Sequence, residues 1–216
     1  MWSKHYYEET GEDVLLNYFC QKKKGFYIDI GAYHPARASN TYLFYKKGWR
    51  GINIDANPYS IKLFNKMRKR DININAGISD KNTVLDYFYF SKSDSSNTFD
   101  KKLYKTWSNE NRKEAKIIQV KMHNINDILD EYLPKGQHID FITIDVEGYE
   151  MKILKSFNYD KYAPDYFLVE DLTYYDKNKD FMDFRESALY SFLHEKGYIV
   201  VAKTWYSILF KNSFNH

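Results

Sequence analysis

Short apolar segments that end in or beside an acidic residue recur along this chain, separated by stretches of helical periodicity. The clearest two are Phe26–Ile30, which Gly31 ends, and Ile139–Asp145. Apolar runs of this length are typical of strands buried on both faces of a sheet. Strands that alternate with helices indicate βαβ units joined by right-handed crossovers. The sequence therefore predicts an α/β fold with a largely parallel sheet.

The predicted elements follow this alternation along the chain. Strands are predicted over residues 26–30, 51–55, 72–78, 83–90, 117–122, 139–145, 166–170, 198–202 and 207–210. Helices are predicted over residues 10–24, 39–47, 58–67, 126–133, 149–157 and 184–196. Residues 91–116 are polar and lack a clean period, so we expect a long loop or lid there. We treat residues 1–216 as a single domain, with residues 1–24 as a helical lead-in.

Composition excludes several classes of protein. The chain has 216 residues, and no stretch approaches the roughly 20 apolar residues that a membrane span needs. Cys20 is the only cysteine, which excludes a disulfide framework and a multi-cysteine metal site. The net charge of +3 is too small to indicate nucleic-acid binding, and we expect the basic runs Lys22–Lys24 and Lys66–Arg70 to lie on solvated faces. The first residues show no apolar leader segment, so we expect a cytoplasmic protein.

Four of the predicted strands end in or next to a carboxylate. These carboxylates are Asp29, Asp55, Asp145 and Glu170, and Glu147 follows closely after Asp145. Ligands of open α/β sheets bind at the carboxyl ends of the strands, near the point where the strand order reverses. One such carboxylate alone is commonly a helix or turn cap, but four at the same edge indicate a binding site.

The residues around the first two strands favour a nucleoside ligand without phosphate groups. Gly31 allows the backbone to turn tightly and approach a ligand, and Asp55 lies where a carboxylate accepts both hydroxyls of a ribose. However, Tyr33 and Pro35 stand where the G-x-G-x-x-G motif of dinucleotide-binding folds needs glycines. A pyrophosphate at the helix N-terminus is therefore disfavoured, and S-adenosylmethionine is the obvious cofactor that remains.

Taken in order, these motifs resemble the FkbM family of S-adenosylmethionine-dependent methyltransferases, which have the class I Rossmann-like fold. The matching stretches are Gly11–Asp13, Gly25–Ala32, Ser39–Tyr42, Gly48–Pro58, Asp140–Gly148 and Glu170. The resemblance implies a mostly parallel twisted sheet with helices on both faces and an antiparallel C-terminal strand. The chain departs from the family at Tyr33–Pro35, where a second glycine or an acidic residue is frequent, and at Asp55, where glutamate is frequent.

Position by position, the resemblance also implies which residues bind the cofactor. The implied set is Asp29, Gly31 and Ala32 in the first loop, Ser39, Asn40 and Thr41 at the methionine end, Asp55 and Ala56 at the ribose, Ile78, Ser79 and Asp80 at the adenine, and Asp145 beside the sulfonium.

Methyl transfer needs a nucleophile held in line with the activated methyl group and a group that accepts its proton. The catalytic candidates are Asp145, Glu147 and His34, with Glu170 nearby. Three interpretations of the carboxylates stay open: a general base, a site for a divalent metal such as Mg²⁺, or a purely structural role for Glu147 and Glu170. His34 titrates near neutral pH and suits a base, although a histidine before a proline in a turn also has a structural interpretation.

We therefore expect an enzyme that methylates a hydroxyl group of a carbohydrate, either a nucleotide-linked sugar or a surface polysaccharide precursor. The carbohydrate is implied by the resemblance alone, and a polyketide hydroxyl or an amine is the alternative acceptor. A nicotinamide-dependent sugar oxidoreductase would share the fold, but the glycine motif and a Tyr-x-x-x-Lys pair are missing. A binding protein that kept the pocket as a relic would have no reason to retain Asp29, Gly31, Asp55 and Asp145.

The acceptor side of the pocket is the least determined by the sequence. Tyr104 and Trp107 in segment 91–116, and Tyr174–Asp176 after Glu170, either border the acceptor or pack on the core. A chain of this length has little room for a separate acceptor domain. We expect segment 91–116 or a second subunit to complete the pocket, so a homodimer stays open.

Overall fold

Strands and helices alternate along the folded chain. The computed structural model describes residues 7, 10–92, 94–111, 114–171 and 183–214. The strands are β1 (Phe26–Ile30), β2 (Arg50–Asp55), β3 (Ile72–Asn75), β4 (Gly77–Ser79), β5 (Thr83–Tyr89), β6 (Lys116–Asn124), β7 (Phe141–Ile144), β8 (Tyr166–Glu170), β9 (Tyr198–Lys203) and β10 (Ser207–Asn212). The helices are α1 (Glu12–Phe19), α2 (Tyr42–Lys46), α3 (Pro58–Met67), α4 (Lys101–Asn111), α5 (Ile125–Tyr132), α6 (Glu150–Ser156), α7 (Tyr159–Tyr162) and α8 (Ala188–Glu195), and a 3₁₀ turn (Phe184–Glu186) precedes α8.

Seven strands form the main sheet, in the order β3-β2-β1-β7-β8-β10-β9. Five neighbouring strands of this sheet run parallel, namely β3, β2, β1, β7 and β8. Strand β10 pairs antiparallel with both β8 and β9. The predicted α/β fold, with its antiparallel strand at the C-terminal end, is confirmed. The strand order reverses between β1 and β7, so the ligand-binding edge is expected where these two strands end.

Separate apolar clusters cover the two faces of the sheet, because successive residues of a strand point to opposite faces. From β1, Ile28 packs into a cluster that includes residues of α5, α6, α7 and α8. Its neighbour Tyr27 packs into the other cluster with Leu16 of α1 and Phe44 of α2. All five residues of β1 are buried, as its mostly apolar pattern predicts. This packing on both faces holds the end of β1 in a fixed position.

A second sheet, of three strands in the order β4-β6-β5, covers one side of the main sheet's edge. The predicted strand over residues 72–78 therefore divides in two, with β3 in the large sheet and β4 in the small one. The chain changes sheets at Ala76, whose N–H still donates to the carbonyl oxygen of Asp55 at 3.1 Å. Gly77 follows, and a Cβ there would lie 2.3 Å from the sulfur of Met122. A larger residue at Gly77 would therefore make the Met122 side chain shift.

The expectation that residues 91–116 form an irregular loop is wrong for part of that segment. Lys101–Asn111 is the helix α4, and β6 begins at Lys116. The Asp100 side chain starts the helix, because its Oδ1 accepts hydrogen bonds from the backbone N–H groups of Lys102 and Leu103. Polar residues cover most of α4, so no apolar period marked it in the sequence.

Within the described residues, no helix has both the length and the apolar character that crossing a membrane requires.

Candidate functional site

A cavity of about 380 Å³ opens at the carboxyl ends of β1, β2, β7 and β8. The small sheet and the segment that follows β5 form its far wall, through Tyr87, Asp94, Asn97 and Phe99. Six carboxylates line it, namely Asp29, Asp55, Asp94, Asp145, Glu147 and Glu170, together with one arginine, Arg37. The four strand-end carboxylates predicted from the sequence thus lie around one cavity.

Gly31 forms the tight turn by which β1 leaves the sheet. Its φ of +85° lies in the left-handed region, and a Cβ added there would lie 1.6 Å from the carbonyl oxygen of Asp145. The N–H groups of Gly31 and Ala32 donate to the carbonyl oxygen of Ile54, at 2.9 and 3.1 Å. The end of β1 is therefore held between β2 and the residue that follows β7, in a place where only glycine fits.

Asp55 ends β2 and binds the loop that follows Gly31. Its Oδ2 accepts the N–H of Tyr33 at 2.7 Å, and its Oδ1 accepts the N–H of Asn57 at 2.7 Å. Burial raises the pKa of Asp55 to about 6, although the two hydrogen bonds act in the opposite direction. Each carboxylate oxygen has a second lone pair, so both oxygens retain the capacity to accept a ligand hydroxyl.

Asp29 occupies the last but one position of β1 and is also buried. Its Oδ2 accepts a hydrogen bond from the Thr41 hydroxyl at 2.6 Å. Burial raises the pKa of Asp29 to about 6, and the Thr41 hydrogen bond and the nearby Arg68 charge oppose this rise. A loop residue preceding α2 is thereby joined directly to the carboxyl end of β1.

The predicted methionine-end residues divide into one that lines the cavity and two that support it. Asn40 lines the cavity and donates from Nδ2 to the Thr143 hydroxyl at 3.1 Å. Its Oδ1 is buried and has no hydrogen-bond partner. The hydroxyls of Ser39 and Thr41 instead accept hydrogen bonds from the guanidinium of Arg68, each at 2.6 Å. Asn40 therefore has a buried acceptor without a partner at the cavity wall.

Three further carboxylates form a group, which we call the acidic trio, at the ends of β7 and β8. Asp145, Glu147 and Glu170 each place an oxygen within 4.8 Å of the others. Burial raises the pKa of Asp145 to about 6, although it accepts a hydrogen bond from Glu170. Burial and the neighbouring charges of Asp145 and Glu147 raise the pKa of Glu170 well above its usual range. The second oxygen of Glu170, Oε2, is buried without a partner.

The loop that carries Glu147 is held in an uncommon backbone conformation. Glu147 has a φ of +56°, which is rare for a residue with a side chain, and Gly148 follows with +103°. Glu150 accepts the N–H of Val146 at 2.9 Å and that of Gly148 at 3.0 Å. Glu150, which the sequence analysis missed, thus does the capping that one interpretation gave to Glu147. Burial raises the pKa of Glu147 well above its usual range, with added repulsion from Asp145.

The comparison with known families decides the class of protein. A family model described as the methyltransferase FkbM domain matches residues 29–200, which is more than half of the chain. The chain belongs to the FkbM methyltransferase family. No curated protein and no solved structure matches it. The family match begins at Asp29 in β1 and ends in β9, so it includes Asp55 and the acidic trio.

Several residues predicted for this FkbM site lie on the cavity wall, and others lie beside it. Ala32, Ala56 and Ile78 line the cavity, as do Asp29, Gly31, Asn40, Asp55, Asp145 and Glu147. Ser79 and Asp80 are outside that lining, and Asp80 is exposed and accepts a hydrogen bond from the Ser79 hydroxyl. The cavity is lined instead by Ala76 and Gly77, which come before Ile78 in the chain.

His34 also lies outside the lining of the FkbM cavity. Its Nδ1 accepts the N–H groups of Ala36 and Arg37, at 3.1 and 3.0 Å. Burial lowers the pKa of His34, with smaller contributions from Arg37 and Arg68. These contacts match the structural interpretation of a histidine in a turn, and its catalytic role stays a prediction.

The expectation that Lys66–Arg70 is a solvated basic run is wrong for Arg68, which is fully buried. Arg68 follows α3 directly, four residues after Phe64 and seven after Ile61, so it continues the buried face of the helix. Met67, the residue before it, is 41% exposed. The helical spacing from Phe64 was the signal that would have singled out Arg68 among its basic neighbours.

The acceptor-side predictions are answered only for the described residues. Asp94, Ser95, Asn97 and Phe99 of segment 91–116 line the cavity. Tyr104 stacks on Phe88, with ring centroids 4.3 Å apart, and so packs on the small sheet. Tyr174–Asp176 lie outside the described residues. That segment 91–116 or a second subunit completes an acceptor pocket stays a prediction.

Proposed function

We propose that this FkbM protein is a single-domain methyltransferase that transfers the methyl group of S-adenosylmethionine to a hydroxyl group of a carbohydrate. The observation that carries the proposal is the meeting of Gly31 and Asp55 with the acidic trio around one cavity. Gly31 brings backbone close to a ligand, and Asp55 offers two acceptor oxygens without any phosphate-binding glycine motif.

The cavity fits the cofactor on the side of β1 and β2. Asp55 would accept the two ribose hydroxyls, and Ala76–Ile78 would border the adenine. The unpaired Oδ1 of Asn40 is an acceptor suited to the ammonium group at the methionine end, because a buried acceptor without a partner is unfavourable. When bound, S-adenosylmethionine would supply an electrophilic methyl group.

We assign the proton-accepting role to Asp145. Its pKa of about 6 leaves it ionised at neutral pH while keeping it basic enough to accept a hydroxyl proton. Glu170 donates a hydrogen bond to Asp145 and would orient it. Burial raises the pKa of Glu147 well above its usual range, and Glu147 stays the second candidate for the base.

The carbohydrate acceptor rests on the family resemblance and on the charged side chains that line the cavity. Six carboxylates and one arginine line the cavity, so phosphate groups would be repelled from its interior. A nucleotide-linked sugar would have to keep its phosphates outside, whereas a neutral polysaccharide precursor would enter without that penalty.

An amine acceptor is the second candidate, and the acidic trio favours it. Three carboxylate oxygens within 4.8 Å of one another attract a cationic group. A methyl-transfer assay with radiolabelled S-adenosylmethionine distinguishes the two. Neutral oligosaccharides, amino sugars and nucleotide-linked sugars are offered in parallel.

We expect label to enter neutral oligosaccharides, in an ester-free and acid-stable ether linkage. Label in the amino sugars alone would favour the amine. Absence of transfer to all of them, with intact cofactor binding, would contradict the carbohydrate acceptor.

The Mg²⁺ interpretation of the acidic trio is tested in the same assay. With Asp145 as the base, we expect equal rates in the presence of Mg²⁺ and of a chelator. A rate that vanishes with the chelator and returns with Mg²⁺ would replace the general base by a metal site.

A further inference from the structure

Arg68 joins three points of the loop between β1 and α2, which we call loop 35–41. Its Nε donates to the carbonyl oxygen of Pro35 at 2.8 Å. Its Nη1 and Nη2 donate to the hydroxyls of Thr41 and Ser39, each at 2.6 Å. The side chain is fully buried although it comes from the end of α3, more than 25 residues away in sequence. One guanidinium group therefore fixes both ends of the loop.

The surroundings hold the guanidinium group itself in place. Rings of Phe64, Tyr42 and Tyr45 lie 5.0, 5.3 and 5.6 Å from its central carbon. Asp71 lies 4.0 Å from Nη1 and completes a buried ion pair. A desolvated charge of this kind is costly unless its donors are satisfied, so each contact constrains the others.

Loop 35–41 faces the cavity on its other side. Arg37, Ala38 and Asn40 line the cavity, and Ala38 has a φ of +43°. The two hydroxyls bound to Arg68 flank Asn40, whose Oδ1 is the unpaired acceptor. The Thr41 hydroxyl also connects Arg68 to Asp29, because it donates a hydrogen bond to Asp29 while it accepts one from Arg68.

We propose that Arg68 is a positioning residue that fixes Asn40 and Asp29 for the amino-acid end of the cofactor, without touching the cofactor itself. The inference rests on the proposed function, since it assumes that S-adenosylmethionine occupies the cavity. Arginine is required because its planar group directs five donors outward in a fixed fork, whereas lysine carries its donors on one atom.

The test compares two ligands that differ only at that end. S-Adenosylhomocysteine carries the amino-acid portion, and 5′-methylthioadenosine has the same adenosine and thioether without it. Calorimetry gives the Kd of each for the wild type, Arg68→Lys and the matched control Arg70→Lys, whose arginine is exposed. Ser39→Ala removes one of the three acceptors that loop 35–41 offers to Arg68 and leaves Arg68 in place.

We expect Arg68→Lys to raise the Kd for S-adenosylhomocysteine about tenfold and Ser39→Ala to raise it about threefold, as for the loss of buried hydrogen bonds. The Kd for 5′-methylthioadenosine changes less than about twofold in both, and Arg70→Lys changes neither. If Arg68→Lys does not fold, Ser39→Ala decides by the same comparison. Equal weakening of both ligands, or no weakening of either, overturns the positioning role. A wild type that binds neither ligand refutes the proposed function instead.

Discussion

Two groups of buried carboxylates meet at the carboxyl edge of the main sheet, and their partners differ. Asp29 and Asp55 accept hydrogen bonds from Thr41, Tyr33 and Asn57. In the acidic trio, one oxygen of each side chain lies within 4.8 Å of the others, for Asp145, Glu147 and Glu170. No lysine or arginine in the described parts of the chain forms an ion pair with a member of this acidic trio.

The difference teaches how one sheet edge divides recognition from reactivity. Carboxylates with fixed donors keep one orientation and are suited to bind a ligand of defined shape. Burial raises the pKa of Asp29, Asp55 and Asp145 alike to about 6, but in the acidic trio one carboxyl group also donates a hydrogen bond to another, which suits it to proton transfer. We therefore propose that Asp29 and Asp55 recognise the cofactor and that the acidic trio takes part in proton transfer.

The largest effect is expected where the two groups touch, at Gly31. Gly31→Ala places a Cβ 1.6 Å from the carbonyl oxygen of Asp145, in a backbone conformation with φ +85°. We expect the free energy of unfolding to fall by about 3–5 kcal/mol and binding of S-adenosylhomocysteine to be lost. Chemical denaturation and calorimetry measure the two quantities.

Gly48→Ala is the matched control, because Gly48 has φ +91° and a Cβ there would meet nothing within 4 Å. It should lose only the cost of the left-handed conformation, about 1–2 kcal/mol. Equal losses in the two variants would mean that the close approach of β1 to β7 is not needed.

A smaller effect is expected within the recognition group. Asp55→Ala removes the carboxylate that binds Tyr33 and Asn57 and would bind the ribose. We expect cofactor binding to weaken by about 1–3 kcal/mol, the scale of charge-assisted hydrogen bonds. Titration with S-adenosylhomocysteine measures it, and an unchanged Kd would remove Asp55 from the cofactor site.

Within the acidic trio, the expected effect is a change in how stability depends on pH. The pKa of Asp145 is raised by burial to about 6, above its unfolded value of 3.8. Between these two values the folded state binds more protons than the unfolded state. The stability contribution therefore falls as pH rises through this window, and the penalty is complete above about pH 6. Asp145→Asn removes one titrating group, so its melting temperature should fall less between pH 5 and 8 than that of the wild type.

The control for this prediction is Asp80→Asn. A hydrogen bond from Ser79 lowers the pKa of Asp80, so its titration lies below that window. Its pH profile between 5 and 8 should match the wild type. If the pH profile of Asp145→Asn also matches the wild type, the pKa of the Asp145 carboxyl group is not raised.

Asp145→Asn should in addition reduce turnover, and wild-type turnover would return Asp145 to a structural role.

The smallest expected effect concerns the adenine end. Asp80 is exposed and outside the cavity lining, whereas Ala76–Ile78 line it. Asp80→Asn should change the Kd for S-adenosylhomocysteine by less than about twofold. A loss of affinity of more than about tenfold would restore Asp80 as an adenine ligand. The adenine would then lie near Ser79, the last residue of β4.

The strand-end carboxylates were predictable because parallel strands deliver their carboxyl ends to one edge, whatever the details of packing. Correct strand positions were enough to predict that four carboxylates share this edge, namely Asp29, Asp55, Asp145 and Glu170. Arg68 was not found, because a basic residue between Arg70 and Lys66 has the composition of a solvated face. Its burial depends on acceptors in loop 35–41 that no local pattern connects to α3.

The small sheet was the other part that the sequence did not reveal. Alternating patterns predicted the strands at residues 83–90 and 117–122, but periodicity does not name a strand's partner. β4 leaves the main sheet at Ala76 and pairs with β6, where Gly77 lies opposite Met122. Glu150 was missed because its carboxylate accepts from the N–H groups of Val146 and Gly148, in the loop before α6, where a structural role for Glu147 was one of the three open interpretations.

Calorimetric titration of the protein with S-adenosylhomocysteine, with NAD⁺ in parallel, tests the central claim most directly. We predict micromolar binding of S-adenosylhomocysteine and none of NAD⁺, because the cavity combines Gly31 and Asp55 without the glycines that a pyrophosphate needs. Binding of NAD⁺ alone would contradict the cofactor assignment and the division of the sheet edge between recognition and proton transfer.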